Sequence, residues 1–200
     1  MPNWCENNLI ITGTKERLDE IQATKFNFDK IIPMPIEFKE DSDTKNIGGS
    51  ISKKSFECCF NQQDRVEDYD WDKLQKERNL TDSEISYWQD LTRKHGACGW
   101  YEWSYKNWGT KWNASSVSMD RVSPTILHVY FATPWGSPMP ILERVSHGVT
   151  IDYTFDIEGN ESGCCIIENG ISTQVEEIEN TKNGHMMFLG GPPEKGWDEE

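Results

Sequence analysis

The feature that most constrains the fold of this 200-residue chain is a strand–helix–strand pattern that occurs near the start and again in the second half. Near the start, residues 4–12 predict a strand buried on both faces, because its apolar side chains do not alternate with polar ones. Thr14 predicts the N-cap of a helix that reaches about Lys25. Residues 26–32 predict a second strand, which prolines then stop. This segment therefore predicts a first β-α-β unit.

The second half repeats the pattern. Residues 125–133 predict a buried strand, and Ser137 predicts the N-cap of a helix with Pro138 in its first turn. Residues 150–158 alternate apolar and polar side chains without exception, which predicts a half-exposed strand. Two such units in one chain predict an α+β fold, a ferredoxin-like sandwich of repeated β-α-β units.

Further elements lie between and after the two units. Thr81 and Glu84 form the capping box of a helix that ends at Gly96, and an aromatic-rich segment follows it. Asn169-Gly170 predicts the turn of an added hairpin. We therefore expect one ferredoxin-like domain over residues 1–180, with a helical, Trp-rich insertion at about 37–120, a C-terminal hairpin, and a mobile acidic tail over 181–200.

Charge limits the class of partner. The net charge is −14, so we expect no binding to duplex DNA, whose phosphates require Lys and Arg. An acidic surface favours a protein partner with a basic face, although it also serves solubility alone. Asp152, Asp156 and Glu158 share one face of the strand predicted over residues 150–158, and we predict that they bind such a partner. The alternative is an ordinary solvated sheet face.

An aromatic run over residues 100–112 is the other candidate site. Six of its thirteen residues are aromatic, so it is either buried or forms a stacking surface. Lys111 lies beside two indoles, which suits a nucleotide: the base stacks on Trp and the phosphate binds Lys. Alternatively, the indoles fill the core and Lys111 reaches water. The residues predicted for this ligand site are Asn107, Trp108, Lys111, Trp112, Trp135 and Trp4.

Motifs for catalysis or metal binding are weak. His95 and Cys98 form only half of a zinc site, and the chain has neither a phosphate-binding loop nor a nucleophile elbow. We therefore expect a non-enzymatic protein without cofactor or metal, and keep a hydrolase of unrecognised type as an alternative. The chain begins without a signal peptide and has no membrane span, so we expect a cytoplasmic protein with reduced thiols.

Three stretches resemble a known family. They are the opening MPNWCENNLIITG, the segment NWGTKW at 107–112, and FATPWGSP at 131–138. Together they are similar to the YubB-like ferredoxin-like proteins of phages, prophages and plasmids. Ser137 stands where the family pattern has a proline. The resemblance implies a ferredoxin-like fold and carriage on a mobile element, and it supplies no catalytic residues.

These observations lead to two main functional predictions. The first is an accessory protein of a phage or mobile element that binds and modulates a host protein with a basic face, such as a defence or nucleic-acid-handling protein. The second is a protein that binds a small, nucleotide-like ligand at the aromatic run. Neither prediction involves a membrane.

Overall fold

The computed structural model describes residues 3–42, 71–97, 99–159 and 161–174, and everything below concerns those residues. The predicted tail and the end of the predicted hairpin lie outside them. In chain order the elements are β1 (Trp4–Gly13), α1 (Lys15–Ala23), α2 (Phe28–Ile31), α3 (Ile36–Ser42), α4 (Trp71–Arg78), α5 (Asp82–His95), α6 (Trp100–Trp108), β2 (Ser115–Ser123), β3 (Ile126–Pro134), α7 (Met139–Val145), β4 (Val149–Ile157), β5 (Ser162–Glu168) and β6 (Ile171–Gln174).

The fold is α+β and is built on one six-stranded sheet. The strand order is β2-β3-β1-β4-β5-β6, and every neighbouring pair is antiparallel. The central strand β1 pairs with β3 on one side and β4 on the other, so that Leu9 lies opposite both Val129 and Tyr153. Because side chains alternate along a strand, this register gives each face of the sheet a fixed set of residues.

One face of the sheet forms the core together with the helices. Leu9, Val129 and Ile151 are fully buried there. Helices α1, α2, α3, α5, α6 and α7 add apolar side chains to the same cluster, for example Leu18 of α1 and Leu142 of α7. The buried alternate positions of β1, β3 and β4 therefore all point to the helical side.

Several predictions from local signals are confirmed. Thr14 caps α1 by accepting a hydrogen bond from the amide of Arg17, and the capping box at Thr81 is complete. Gly96 ends α5 in the left-handed conformation. The hairpin of β5 and β6 turns at Asn169 and Gly170, both with positive φ.

The predicted strand over residues 26–32 is wrong. Phe28–Ile31 is one turn of helix, capped by the Asn27 side chain, which accepts a hydrogen bond from the amide of Asp29. The Phe28 side chain is buried in the core, as in the predicted strand, but it reaches the core from a helix. The strand that follows α1 is instead β2, which begins at Ser115, after helices α2–α6.

The predicted N-cap at Ser137 is also wrong. Pro138 is the N-cap residue of α7 and forms no side-chain capping bond. The Ser137 hydroxyl lies 4.0 Å from the thiol of Cys5 instead. Pro138 has no amide hydrogen, so a helix that starts here has one unpaired donor fewer to cap.

None of the described helices is both long enough and apolar enough to cross a membrane.

Candidate functional site

The face of the sheet opposite the core is left exposed or half-buried by the described residues. We call it the open face. Alternate positions of all the long strands lie on it, among them Trp4, Glu6, Asn8, Ile10, Thr12, Asp120, His128, Tyr130, Ala132, Asp152, Thr154, Asp156, Ile166 and Glu168.

The open face is acidic. Asp152 and Asp156 are exposed on β4, as the alternating pattern predicts. Glu158 follows β4 directly, and its backbone amide donates a hydrogen bond of 3.0 Å to the carbonyl of Trp4. Among the strand residues that the structure describes, Arg121 is the only Lys or Arg. Its guanidinium lies on the helical side, where it donates to the carbonyl of Lys15, so strand cations do not balance the open face.

Two carboxylates of this face lie directly opposite each other. Glu6 on β1 pairs in register with Asp156 on β4. Side chains opposite each other in an antiparallel pair have Cβ atoms about 4.5–5.5 Å apart, and like charges there are destabilising. A cation bound between Glu6 and Asp156 relieves this repulsion, whereas an anion increases it.

A cavity of about 500 Å³ lies at the end of the open face that contains these carboxylates. We call it the Trp4 pocket. It is lined by two aromatic rings, three carboxylates and three small residues, namely Trp4, Tyr130, Glu6, Asp156, Glu158, Ala132, Ser115 and Ser116. Trp4 and Tyr130 are 38% and 39% exposed, so both rings face the solvent of the cavity as well as the sheet.

The Tyr130 hydroxyl is neutral at physiological pH. Partial burial raises its pKa above the ordinary value, and the neighbouring Glu6 carboxylate raises that pKa further. The Trp4 pocket therefore holds its negative charge on Glu6, Asp156 and Glu158, beside two uncharged aromatic rings.

The cations near a second cavity lie on the other side of the molecule. Arg17, Lys30 and Arg144 line a groove of about 510 Å³ between α1, α2 and α7. The Arg17 guanidinium donates to the carbonyls of Val145 and His147 at the end of α7, so this cation stabilises a helix C-terminus. Glu20 lines the same groove and accepts a hydrogen bond of 2.9 Å from Arg17, so the helical side carries charges of both signs.

The structure divides the residues predicted for a nucleotide site. Trp108 belongs to the core: it is 6% exposed, and its indole Nε1 donates 2.9 Å to the carbonyl of Ile32. Its ring packs against Phe28 and Trp103. Helix α6 thus turns the Trp108 indole to the buried face, away from the other residues predicted for this site that are exposed. Asn107 donates to the Trp103 carbonyl of its own helix.

Lys111 lies between two aromatic rings, of which Trp112 is as predicted and Tyr101 takes the place predicted for Trp108. Its ammonium is 4.6 Å from the Trp112 ring centroid and 5.5 Å from that of Tyr101. The Trp112 indole is 44% exposed and does not fill the core. Since Lys111 already covers one face of Trp112, base stacking on that face requires the lysine to move. The nucleotide site stays a prediction.

Trp4 and Trp135 lie close together at one end of the sheet. Trp4 pairs in register with Pro134, and the Trp135 amide donates 2.9 Å to the carbonyl of Asn3. The Thr110 hydroxyl donates to the Pro134 carbonyl, which joins the turn after α6 to the same end. Trp135 is half-exposed and has a φ of +72°, a strained conformation for a residue other than glycine.

A buried polar network beneath this end was not predicted from the sequence. The Asn7 amide donates 2.8 Å to the Thr133 hydroxyl and accepts 2.6 Å from the Tyr153 hydroxyl. Thr133 in turn donates 2.8 Å to the carbonyl of Gly136. The network fixes the turn that carries Trp135. The available signal was an Asn at a core position of the predicted buried strand β1.

The weak zinc half-site gains no support from its histidine. The His95 Nε2 atom lies 3.5 Å from the Glu37 carboxylate, and the ring packs edge-on against Phe38. Cys98 lies outside the described residues. Within the described ranges, no group of three or more His, Cys, Asp or Glu side chains is arranged to hold a metal ion.

Comparisons with known proteins give one structural likeness to report. No protein-family model matches the chain, and no curated protein sequence matches it. Among solved structures, the chain is similar to the crystal structure of a protein api92 from Yersinia pseudotuberculosis, described with the family model DUF1281. The TM-score is 0.47 at 11% identity, over 89% of this chain and 98% of that chain.

Proposed function

We propose that the open face of the sheet binds a partner protein with a basic surface, and that this chain is a non-enzymatic accessory protein of a phage or related mobile element. The proposed partner is a host protein, for example one of defence or nucleic-acid handling, and the proposed location is the host cytoplasm. The observation that carries the binding proposal is the charge of the open face, on which Asp152, Asp156 and Glu158 are exposed without a strand cation beside them.

The proposed element origin rests on the YubB-like resemblance of the opening and of residues 107–112. The same resemblance leads us to propose a ferredoxin-like arrangement for the first four strands. Their spatial order β4-β1-β3-β2, with α1 after β1 and α7 before β4, supports that arrangement. Strands β5 and β6 extend the sheet beyond it.

The acidity of the open face favours a basic protein over the other partner classes. The open face repels phosphate, so nucleic acid is disfavoured at the surface where the sheet is most accessible. A basic protein surface gains favourable charge pairs, and such complementarity raises the association rate and sets the orientation of the complex. An inhibitor that covers a nucleic-acid-binding surface needs this distribution of charge.

The test compares two triple variants with the same change in net charge. The first reverses the face, D152K/D156K/E158K; the control, E16K/D72K/E143K, reverses carboxylates on helices α1, α4 and α7. The probe is a fluorescein-labelled peptide of alternating Arg and Gly, followed by anisotropy at low and physiological salt. We expect roughly tenfold weaker binding for the first variant only, since each exposed ion pair contributes about 0.2–1 kcal/mol.

The control separates a binding face from general attraction to an acidic chain. Equal weakening in both triple variants means that the peptide senses only net charge, and it refutes the proposed face. Unchanged binding in the face variant refutes it as well. Far-UV circular dichroism of each variant verifies that the sheet is intact.

A further inference from the structure

We infer that the Trp4 pocket receives a single arginine side chain of the basic partner. This inference rests on the proposed function, because it assigns one residue type to one place on the open face. It adds a defined contact to what is otherwise a diffuse charge attraction.

The walls of the pocket suit a planar cation. Trp4 and Tyr130 offer partly exposed aromatic faces, and a guanidinium stacks on such faces through cation–π attraction. The carboxylates of Glu6, Asp156 and Glu158 surround them and accept hydrogen bonds from its N–H groups. Ala132 is the smallest side chain of the lining and leaves room between the rings.

The register explains why a cation belongs here rather than elsewhere on the face. Glu6 and Asp156 lie opposite each other on adjacent central strands, so their repulsion exists before any partner binds. Asp152, in contrast, lies opposite Ile10 and Ile166, which carry no charge. Neutralisation by a bound cation therefore gains more between Glu6 and Asp156 than beside Asp152.

Arginine fits the pocket better than lysine. A guanidinium pairs with two acceptors at once and is more weakly hydrated, so it loses less on leaving water for an aromatic surface. An ammonium is a compact, strongly hydrated point charge. The pocket has two aromatic rings and several carboxylate oxygens, so a planar guanidinium can stack on a ring and form hydrogen bonds at the same time.

The test uses the unmodified protein and three peptides that differ at one position. Each is an eight-residue Gly/Ser peptide with a central Arg, Lys or citrulline, and binding is followed by NMR through the shift of the Trp4 indole N–H. We expect the Arg peptide to bind at least about threefold more tightly than the Lys peptide, and the citrulline peptide to bind far more weakly. Equal binding of Arg and Lys, or of Arg and citrulline, overturns the inference.

A matched pair of protein variants tests the aromatic wall. Trp4→Leu removes the pocket indole, and Trp112→Leu removes an indole of similar exposure, 44%, that does not line the pocket. Because Trp4→Leu lacks the reporter indole, binding to both variants is followed through the backbone amide shift of Glu6. We expect Trp4→Leu alone to weaken the Arg peptide by about threefold or more, which is the lower range of an exposed cation–π contact. Unchanged binding in Trp4→Leu overturns the inference. If D152K/D156K/E158K loses affinity in the same experiment, the proposed function stands without the arginine contact. If both Trp4→Leu and D152K/D156K/E158K keep the affinity of the unmodified protein, the proposed function itself is refuted.

Discussion

The buried network around Asn7 gives a prediction whose size can be worked out from its hydrogen bonds. Tyr153→Phe removes the 2.6 Å bond from the phenol hydroxyl to the Asn7 side chain. A net intramolecular hydrogen bond contributes about 1 kcal/mol, so we expect the free energy of unfolding to fall by about that amount. The ring stays, and with it the packing of a side chain that is 1% exposed.

Asn7→Leu is expected to cost more because it removes bonds and also leaves a partner unpaired. The bonds to the Cys5 carbonyl, at 2.9 Å, and to Thr133 are lost, at about 0.5–1.5 kcal/mol each. The buried Tyr153 hydroxyl loses its closest acceptor, which costs about 1 kcal/mol, the low end of the range, because Ser137 is also within its reach. We therefore expect a loss of about 3 kcal/mol.

The double variant N7L/Y153F separates the two contributions. Once the phenol hydroxyl is gone, Asn7→Leu leaves nothing unpaired on Tyr153, so we expect the double variant to lose about 2–3 kcal/mol rather than the sum of about 4 kcal/mol. Urea unfolding followed by tryptophan fluorescence measures all four proteins. Losses that add to within about 0.5 kcal/mol would show that the two side chains act independently, and would refute the network.

Two further predictions concern backbone strain and pH. Gly109 and Gly148 share a φ of +78°, but a Cβ on Gly109 would lie 2.8 Å from Pro140, whereas Gly148 has open space. We expect Gly148→Ala to lower the free energy of unfolding by about 1–2 kcal/mol, because alanine is strained at this φ. Gly109→Ala should cost about 1–3 kcal/mol more, because its Cβ also meets Pro140. Equal losses of the two variants in denaturant titrations contradict the predicted clash. Burial raises the pKa of the Cys5 thiol to about 11. As the pH rises, the thiol of the unfolded chain ionises before that of the folded protein. The free energy of unfolding should therefore fall between about pH 9 and 11, by about 1.4 kcal/mol per pH unit. Cys5→Ala should remove that part of the slope, and an unchanged slope in this variant is inconsistent with a neutral buried thiol.

Local sequence signals predicted much of the sheet. Strands β1, β3 and β4 follow from short apolar or alternating patterns, and the caps of α1 and α5 follow from single polar side chains. The exposure of Asp152 and Asp156 follows from alternation alone, because a period of two fixes the face of every residue on a strand. These features depend on neighbours within a few residues in the chain.

The segment around Phe28 shows where such signals fail. Its apolar residues suit both a strand and a turn of helix, and the choice depends on what else fills the sheet. The place beside β3 is taken by β2, far along the chain, and Asn27 supplies a helix cap. Trp108 and Trp112 show the same limit: they lie on one short segment, yet one indole is buried and the other exposed.

By itself, the sequence determined the acidic character of this protein, the faces of its strands and the presence of its aromatic run. Only the tertiary structure decided that Trp4, Tyr130 and Glu158 share one pocket and that Glu6 opposes Asp156. The physical reason is that strand register joins residues distant in the chain, and it is set by the packing of the whole core rather than by any local pattern.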